Sequence, residues 1–413
     1  MASAYAGVIG FFALGVFFMY FSLAIILLLG LLLGELFKKL RLPSLLGMLL
    51  TGILIGPYAL DLIDPTVLEL SPQLRKIALI IILARAGMSL NISDLKKVGR
   101  PAVLMCFVPA CFEIIGMVLL APKLLGVSVA DAAIMGAVVG AVSPAVIVPK
   151  MLKITEEGYG KDKSIPQLIL AGASVDDVFV IVMFYAFLSL SQTGEISAMS
   201  FVSIPASILL GAAAGLLFGF ACGQVFKRFH IRDTVKIIVL LSISLLFVAF
   251  EDTFQNKVPF SALIGVMCIG IAVQKVKPEL SPRLSQRYNK LWVAAEIILF
   301  VLVGASVDLS YAMRFGLRAI LLIFAVLLFR ITGVFVCLIK TKLSRMEKLF
   351  CMLAYLPKAT VQAAIGGIPL SMGLSCGDAV LSVAVLAIII TAPLGAFLID
   401  LTYKKLLNKD IKS

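Results

Sequence analysis

Apolar residues run along this chain in long blocks, separated by short stretches rich in lysine and arginine. A run of about 17–25 apolar residues is what an α-helix needs to cross the hydrocarbon layer of a membrane. Thirteen such runs occur, at approximately 14–37, 43–58, 73–91, 100–121, 130–151, 165–191, 200–226, 235–255, 259–275, 289–308, 316–340, 347–371 and 377–402. The pattern predicts an all-α integral membrane protein with about thirteen transmembrane helices. The first block begins near Ala6 and is longer than one ordinary span, so it is expected to tilt or to start as an interfacial piece.

Composition sharpens this. Of 413 residues, 61% are hydrophobic and 14% charged, whereas soluble domains run near half apolar and a quarter charged. Lipid must be the solvent for most of the chain. No basic segment and small-residue cleavage site precede the first block, so it is expected to be kept as a span. A formal net charge of +13 raises the question of a nucleic-acid partner, but the distribution argues against one. Of the 36 basic residues, 27 lie in alternate loops and in the tail after the last span, among them Lys38, Lys96, Lys150, Arg228, Arg283, Lys342 and Lys404. The positive-inside rule then puts the N-terminus outside and the C-terminus in the cytoplasm, in the cell's inner (plasma) membrane. The seven cysteines sit mostly within apolar blocks without CxxC spacing and read as small hydrophobes. His230, the only histidine, lies in a basic loop, which excludes a histidine metal site or a histidine-dependent triad.

A shift of about 217 positions superposes Gly47 on Gly265, Gly52 on Gly270, Gly87 on Gly304, Ser89 on Ser306, Gly99 on Gly316 and Glu113 on Arg330. The shift amounts to seven helices, so the two copies run in opposite directions through the membrane. Inverted repeats of this kind build two-sided access around a midplane site in secondary transporters. The expected division is a first helix and loop at 1–42, the rest of the first repeat at 43–191, a linker helix and basic loop at 192–233, the second repeat at 234–403 and a cytoplasmic tail at 404–413.

Ionisable residues deep in spans are costly and mark function. Here they are Arg85, Glu113, Asp176, Asp177, Glu296, Arg330 and Lys358, four acids against three bases. One carboxylate is thus left without a permanent partner, free to hold a cation or a proton. Asp176 and Asp177 lie mid-span, at a cost of roughly 5–7 kcal/mol on insertion scales. Neighbours on a helix point about 100° apart, so the two serve different partners and do not face one another as a protease dyad. Two spans read as interrupted helices: 130–151, with Pro144 and Pro149, and 347–371, with Leu356-Pro-Lys-Ala-Thr and Gly366-Gly367. Prolines free backbone carbonyls, and half-helix ends bring partial charges to the midplane. Each interrupted span is the fifth of its repeat. Lys358, beside the second break, is expected to neutralise a helix end.

The stretches Ala141–Pro149, Gly172–Asp177 and Leu356–Gly366 resemble the cation/proton antiporter superfamily, and most closely its NHA-type sodium/proton antiporter branch. The resemblance covers about residues 20–403 and implies a NapA/NhaA-like fold with two crossed broken helices, a homodimer, and a mobile six-helix core that moves like an elevator. It implies that Asp177 is the essential ion-binding aspartate, with Na+ bound there, and that Asp176 is its companion. Ser143, Ser174 and Thr360 fall near positions where hydroxyls and carbonyls coordinate the cation. Arg330 is similar to the basic residue of the second repeat, and Glu296 to an acid of the neighbouring branch.

The function expected is exchange of Na+ or Li+ for protons, with no cofactor and no enzymatic step. The alternatives are K+/H+ exchange and, on a similar scaffold, symport of an organic anion. Arginine stays protonated, so Arg330 can pair but cannot carry a proton. If it pairs with Glu113, Asp176 is free to titrate and two protons per cation are possible. If it pairs with Asp176, only Asp177 exchanges, one for one, and this second arrangement is the one expected. Arg85 and Glu296 are expected to form a further structural pair.

Overall fold

In lipid every backbone polar group must find its partner within the chain, and a helix does this segment by segment. The computed structural model describes residues 2–40, 42–89, 99–193, 198–254 and 258–409, and they are helical almost throughout. Among them the only β pairing is an isolated bridge between Tyr159 and Lys409. The helices are α1 (Ala2–Lys39), α2 (Ser44–Ile55), α3 (Pro65–Glu69), α4 (Ser71–Ser89), α5 (Arg100–Met105), α6 (Val108–Leu125), α7 (Val129–Val139), α8 (Pro144–Glu156) and α9 (Ile165–Thr193). They continue with α10 (Ala198–Arg228), α11 (Asp233–Phe254), α12 (Ala262–Val276), α13 (Leu280–Ala305), α14 (Leu309–Cys337), α15 (Arg345–Ala354), α16 (Thr360–Ile365), α17 (Ile368–Ser371) and α18 (Gly377–Leu406).

Among the described residues, nine stretches are long and apolar enough to cross a membrane. They correspond to α1, α5 with α6, α7 with α8, α9, α10, α11, α13, α14 and α18. The other four expected segments are also helical but depart from the simple pattern. Helices α2 and α12 are apolar but short. Helix α4 carries Arg75, Lys76 and Arg85, and the segment after Arg345 is divided into α15, α16 and α17. The first helix is continuous from Ala2, so the overlong first block forms one long helix. Its Leu28 and Leu32 side chains are 61% and 62% exposed, an apolar surface suited to lipid.

Glycines set the close packing of α2, α4, α12 and α13. With no hydrophobic drive between helices in lipid, small residues let backbones approach for van der Waals contact. A Cβ on Gly52 would collide with the Val301 carbonyl and Ala305 N, and one on Gly270 with the Ala84 carbonyl and Met88 N. Gly87 likewise abuts the Met267 carbonyl, and Gly304 the Leu49 carbonyl. The contacts correspond atom for atom under the 217–218 residue shift: α2 meets α13 as α12 meets α4.

The interrupted segments cross elsewhere, among α6, α9, α14 and α18. The backbone leaves the helix between α7 and α8 and again between α15 and α16, and Ser143 N donates to the Pro357 carbonyl at 2.8 Å. That bond joins one break to the other.

Candidate functional site

The breaks have local causes. Helix α7 starts from a capping box, in which Ser128 accepts from Asp131 N and Asp131 accepts in return. It stops at Gly140, and α8 restarts with Pro144 in its first turn, where a missing N–H costs nothing. Helix α15 starts from the matching box of Ser344 and Glu347 and stops before Pro357. Helix α16 restarts at Thr360, where the Gln362 side chain accepts from Ala359 N at 2.8 Å. Each break leaves N–H and C=O groups that must be satisfied without water.

Arg330, on α14 and fully buried, reaches into this junction. Its Nη1 donates to Glu113 Oε2 at 2.6 Å and also to the Gly140 carbonyl. Its Nη2 donates to Asp176 Oδ2 at 2.9 Å, and its Nε to the Tyr355 carbonyl at 2.7 Å. One guanidinium therefore ties α6, the end of α7, α9 and the end of α15 together, which a planar fork of five donors can do. The Tyr355 ring lies 5.1 Å from the guanidinium carbon, and its hydroxyl donates to the Met105 carbonyl at 3.0 Å. Lys358 Nζ donates to the same Glu113 oxygen at 2.5 Å. Asp176 Oδ2 also accepts from Val142 N, at 2.8 Å, and so caps the first break with a carboxylate.

The two arrangements considered for Arg330 occur together: it pairs with both Glu113 and Asp176. Lys358 is an ion-pair partner of Glu113 rather than only a helix-end charge. Two acids and two bases balance, and among the described residues Asp177 has no ion pair. Asp177 Oδ1 is buried without a hydrogen-bond partner, as are Asp176 Oδ1, Ser143 Oγ and Thr360 Oγ1. Glu113 Oε1, within the Arg330 cluster, is likewise without a partner, and because buried polar atoms are nearly always satisfied, these oxygens are acceptors open to a donor or a cation.

Ser143 and Thr360 are 217 residues apart, the spacing that also relates the glycines above, and each stands where a half-helix restarts. Glu113 and Arg330, paired here, are equivalent at the same spacing. The Ser174 side chain lies outside the described residues. Arg85 on α4 and Glu296 on α13 lie within electrostatic range of one another. Sequence reasoning missed Gln362, Tyr355 and Thr391. Thr391 Oγ1 accepts from Lys358 N at 2.9 Å, and Gln362 Nε2 donates to the Ala141 and Val139 carbonyls at 2.9 and 3.2 Å. A glutamine directly after a break is the one signal that was present.

Comparison with known proteins bears on this geometry. The model of the family described as sodium/hydrogen exchanger, transmembrane, matches residues 23–405. Sodium/hydrogen exchanger 9B2 of Xenopus tropicalis is 33% identical over 401 residues, covering 91% of this chain and 72% of its own length. The human 9B2 protein is 35% identical over 389 residues, covering 89% and 70%. Among solved structures, the sodium proton antiporter MjNhaP1 from Methanocaldococcus jannaschii at pH 8 superposes with a TM-score of 0.84, covering 95% of this chain and 99% of its own. At 21% identity that likeness speaks to the fold.

Proposed function

The chain belongs to the sodium/hydrogen exchanger family, a multi-pass membrane secondary transporter rather than an enzyme, and from that premise we propose that it exchanges Na+ or Li+ for protons by competition at Asp177. The observation that carries the reading is the group of open buried oxygens on Asp177, Asp176, Ser143 and Thr360, beside a charge-balanced Arg330 cluster. A buried carboxylate without a counter-ion is stable only when it holds a proton or a cation, so one ligand must replace the other. The binding region is thereby never charged and empty while it crosses the membrane.

Asp176 is held by Arg330 and Val142 N, which leaves Asp177 as the group that exchanges. This favours one proton per cation and transport without net charge. The contacts of Gly52, mirrored by those of Gly270, and the contacts of Gly87, mirrored by those of Gly304, support two inverted six-helix repeats within about thirteen spans. The reading includes an elevator-like movement of the crossed-helix core against the glycine-packed helices. It also includes a homodimer in the plasma membrane, with the C-terminus on the basic, cytoplasmic side.

The test is reconstitution in liposomes holding a pH gradient, with a pH dye inside and Na+, Li+ or K+ added separately. Na+ and Li+ are expected to collapse the gradient in the wild type but not in Asp177→Asn, with a rate indifferent to membrane voltage. A wild type in which no cation moves protons would sink the antiport reading, and a voltage-dependent rate would sink the one-for-one stoichiometry.

A further inference from the structure

Helix breaks in membrane transporters supply backbone carbonyls as ion ligands, yet at this crossing five carbonyls are already taken by the protein. Arg330 bonds those of Gly140 and Tyr355, Ser143 N bonds that of Pro357, and Gln362 Nε2 bonds those of Val139 and Ala141. Two of these donors are fixed by other duties. Arg330 balances Glu113 and Asp176, and Ser143 N is backbone. Gln362 is different. It is fully buried, carries no charge, and spends both ends of its amide on the breaks: the oxygen caps Ala359 N at the start of α16, and the nitrogen occupies the carbonyls of Val139 at the end of α7 and of Ala141 within the break. An apolar side chain of the same length would fill the space and leave those carbonyls open, two positions before the unpartnered Ser143 hydroxyl.

We propose that Gln362 is a specificity-determining residue: by occupying the Val139 and Ala141 carbonyls, it confines cation binding to the carboxylate and hydroxyl oxygens of Asp177, Asp176, Ser143 and Thr360. This rests on the cation-binding reading above and extends it to selectivity. Carboxylate oxygens are strong-field ligands that favour small cations, and a proton competes for them directly. Neutral carbonyls are weaker ligands that suit larger cations and do not titrate. Withholding them has two consequences. The site prefers Na+ and Li+ over K+, and every bound cation remains in full competition with a proton.

The experiment measures cation binding on the purified full-length protein as the rise in melting temperature with Li+, Na+ or K+, with choline as reference. Liposome exchange is run in parallel. In Gln362→Met the ratio of half-saturating K+ to Na+ is expected to fall by about tenfold, the size of one net ligand interaction. The upward shift of half-saturating Na+ per unit fall in pH should become shallower. If Gln362→Met does not fold, Gln362→Leu serves, because it likewise carries no charge and no donor for the carbonyls. A purely structural role would lower the melting temperature in choline and slow exchange while leaving ion ratio and pH slope unchanged, and that outcome overturns the inference. Failure of the wild type to exchange, with Na+ still stabilising it, would remove the antiport reading while the ratio still judges Gln362. A wild type that no cation stabilises overturns both.

Discussion

The two helix breaks, whose restarts at Ser143 and Thr360 lie 217 residues apart, are finished with opposite chemistry. At the first, between α7 and α8, the free backbone N–H of Val142 is capped by the Asp176 carboxylate. At the second, between α15 and α16, the N–H groups of Lys358 and Ala359 are capped by neutral oxygens of Thr391 and Gln362. The break itself carries the ammonium of Lys358. Each restarted half-helix presents an unpartnered hydroxyl at its N-terminal end, Ser143 or Thr360. The two breaks are alike in these hydroxyls and differ in charge. Acids gather on α9 beside the first break and bases at and near the second, joined through Glu113 and Arg330. Glu113 and Arg330 stand at the same 217-residue spacing, one an acid and the other a base, and they bond to each other.

This contrast can be broken in order of effect. Asp177→Asn removes the carboxylate at the crossing that has no ion pair among the described residues, and cation-driven proton movement in liposomes should disappear altogether while the purified protein still folds. Persistent exchange would move the site elsewhere. Glu113→Gln strands Arg330 and Lys358 with a single acid, and melting should report a loss of about 3–5 kcal/mol, the cost of an uncompensated buried charge. Adding Lys358→Gln should return about 1–3 kcal/mol of that as coupling in the double-mutant cycle. Additive losses would mean that the two cations do not share Glu113 as the structure has it.

The glycine contacts serve as the symmetric control. Gly52→Ala and Gly270→Ala place a methyl against mirrored backbone atoms, so each should cost about 1–3 kcal/mol in melting, and by similar amounts. A large disparity would weaken the repeat reading. The smallest effects are expected at the hydroxyls. Ser143→Ala and Thr360→Val break no hydrogen bond within the protein, so melting in choline should hardly move. Half-saturating Na+ should rise roughly three- to tenfold for each, the size of one modest polar contact. A change at only one of them would assign the cation to that break alone.

Much of the fold was legible because the membrane imposes its demands locally. Residues 165–191 had to be a helix wherever they sat, and α9 occupies them. The breaks were legible from Pro144, Pro357 and the Gly366-Gly367 pair, because proline and glycine act on their own stretch of backbone. Lys358 was read as a structural charge beside a break, with no partner named, and the structure pairs it with Glu113. Helix position says how deep a charge lies, but not which neighbouring helix supplies its counter-ion. Gln362 passed unnoticed because an amide carries no charge to betray its burial; its importance comes from the carbonyls it meets.

By itself the sequence determined that this is a multi-pass helical membrane protein, where its segments fall, and which few ionisable residues are buried deeply enough to carry function. Those are properties of a residue and its immediate stretch of chain, set by transfer between water and lipid. Only the tertiary structure decided that Arg330 serves Glu113 and Asp176 together, that Lys358 joins Glu113, and that Asp177 is left over. These bonds span 217, 154 and 245 residues, and hydrogen bonding selects among them by ångströms and angles. A list of four acids and three bases is consistent with many pairings. The crossing of two broken helices around one guanidinium selects one.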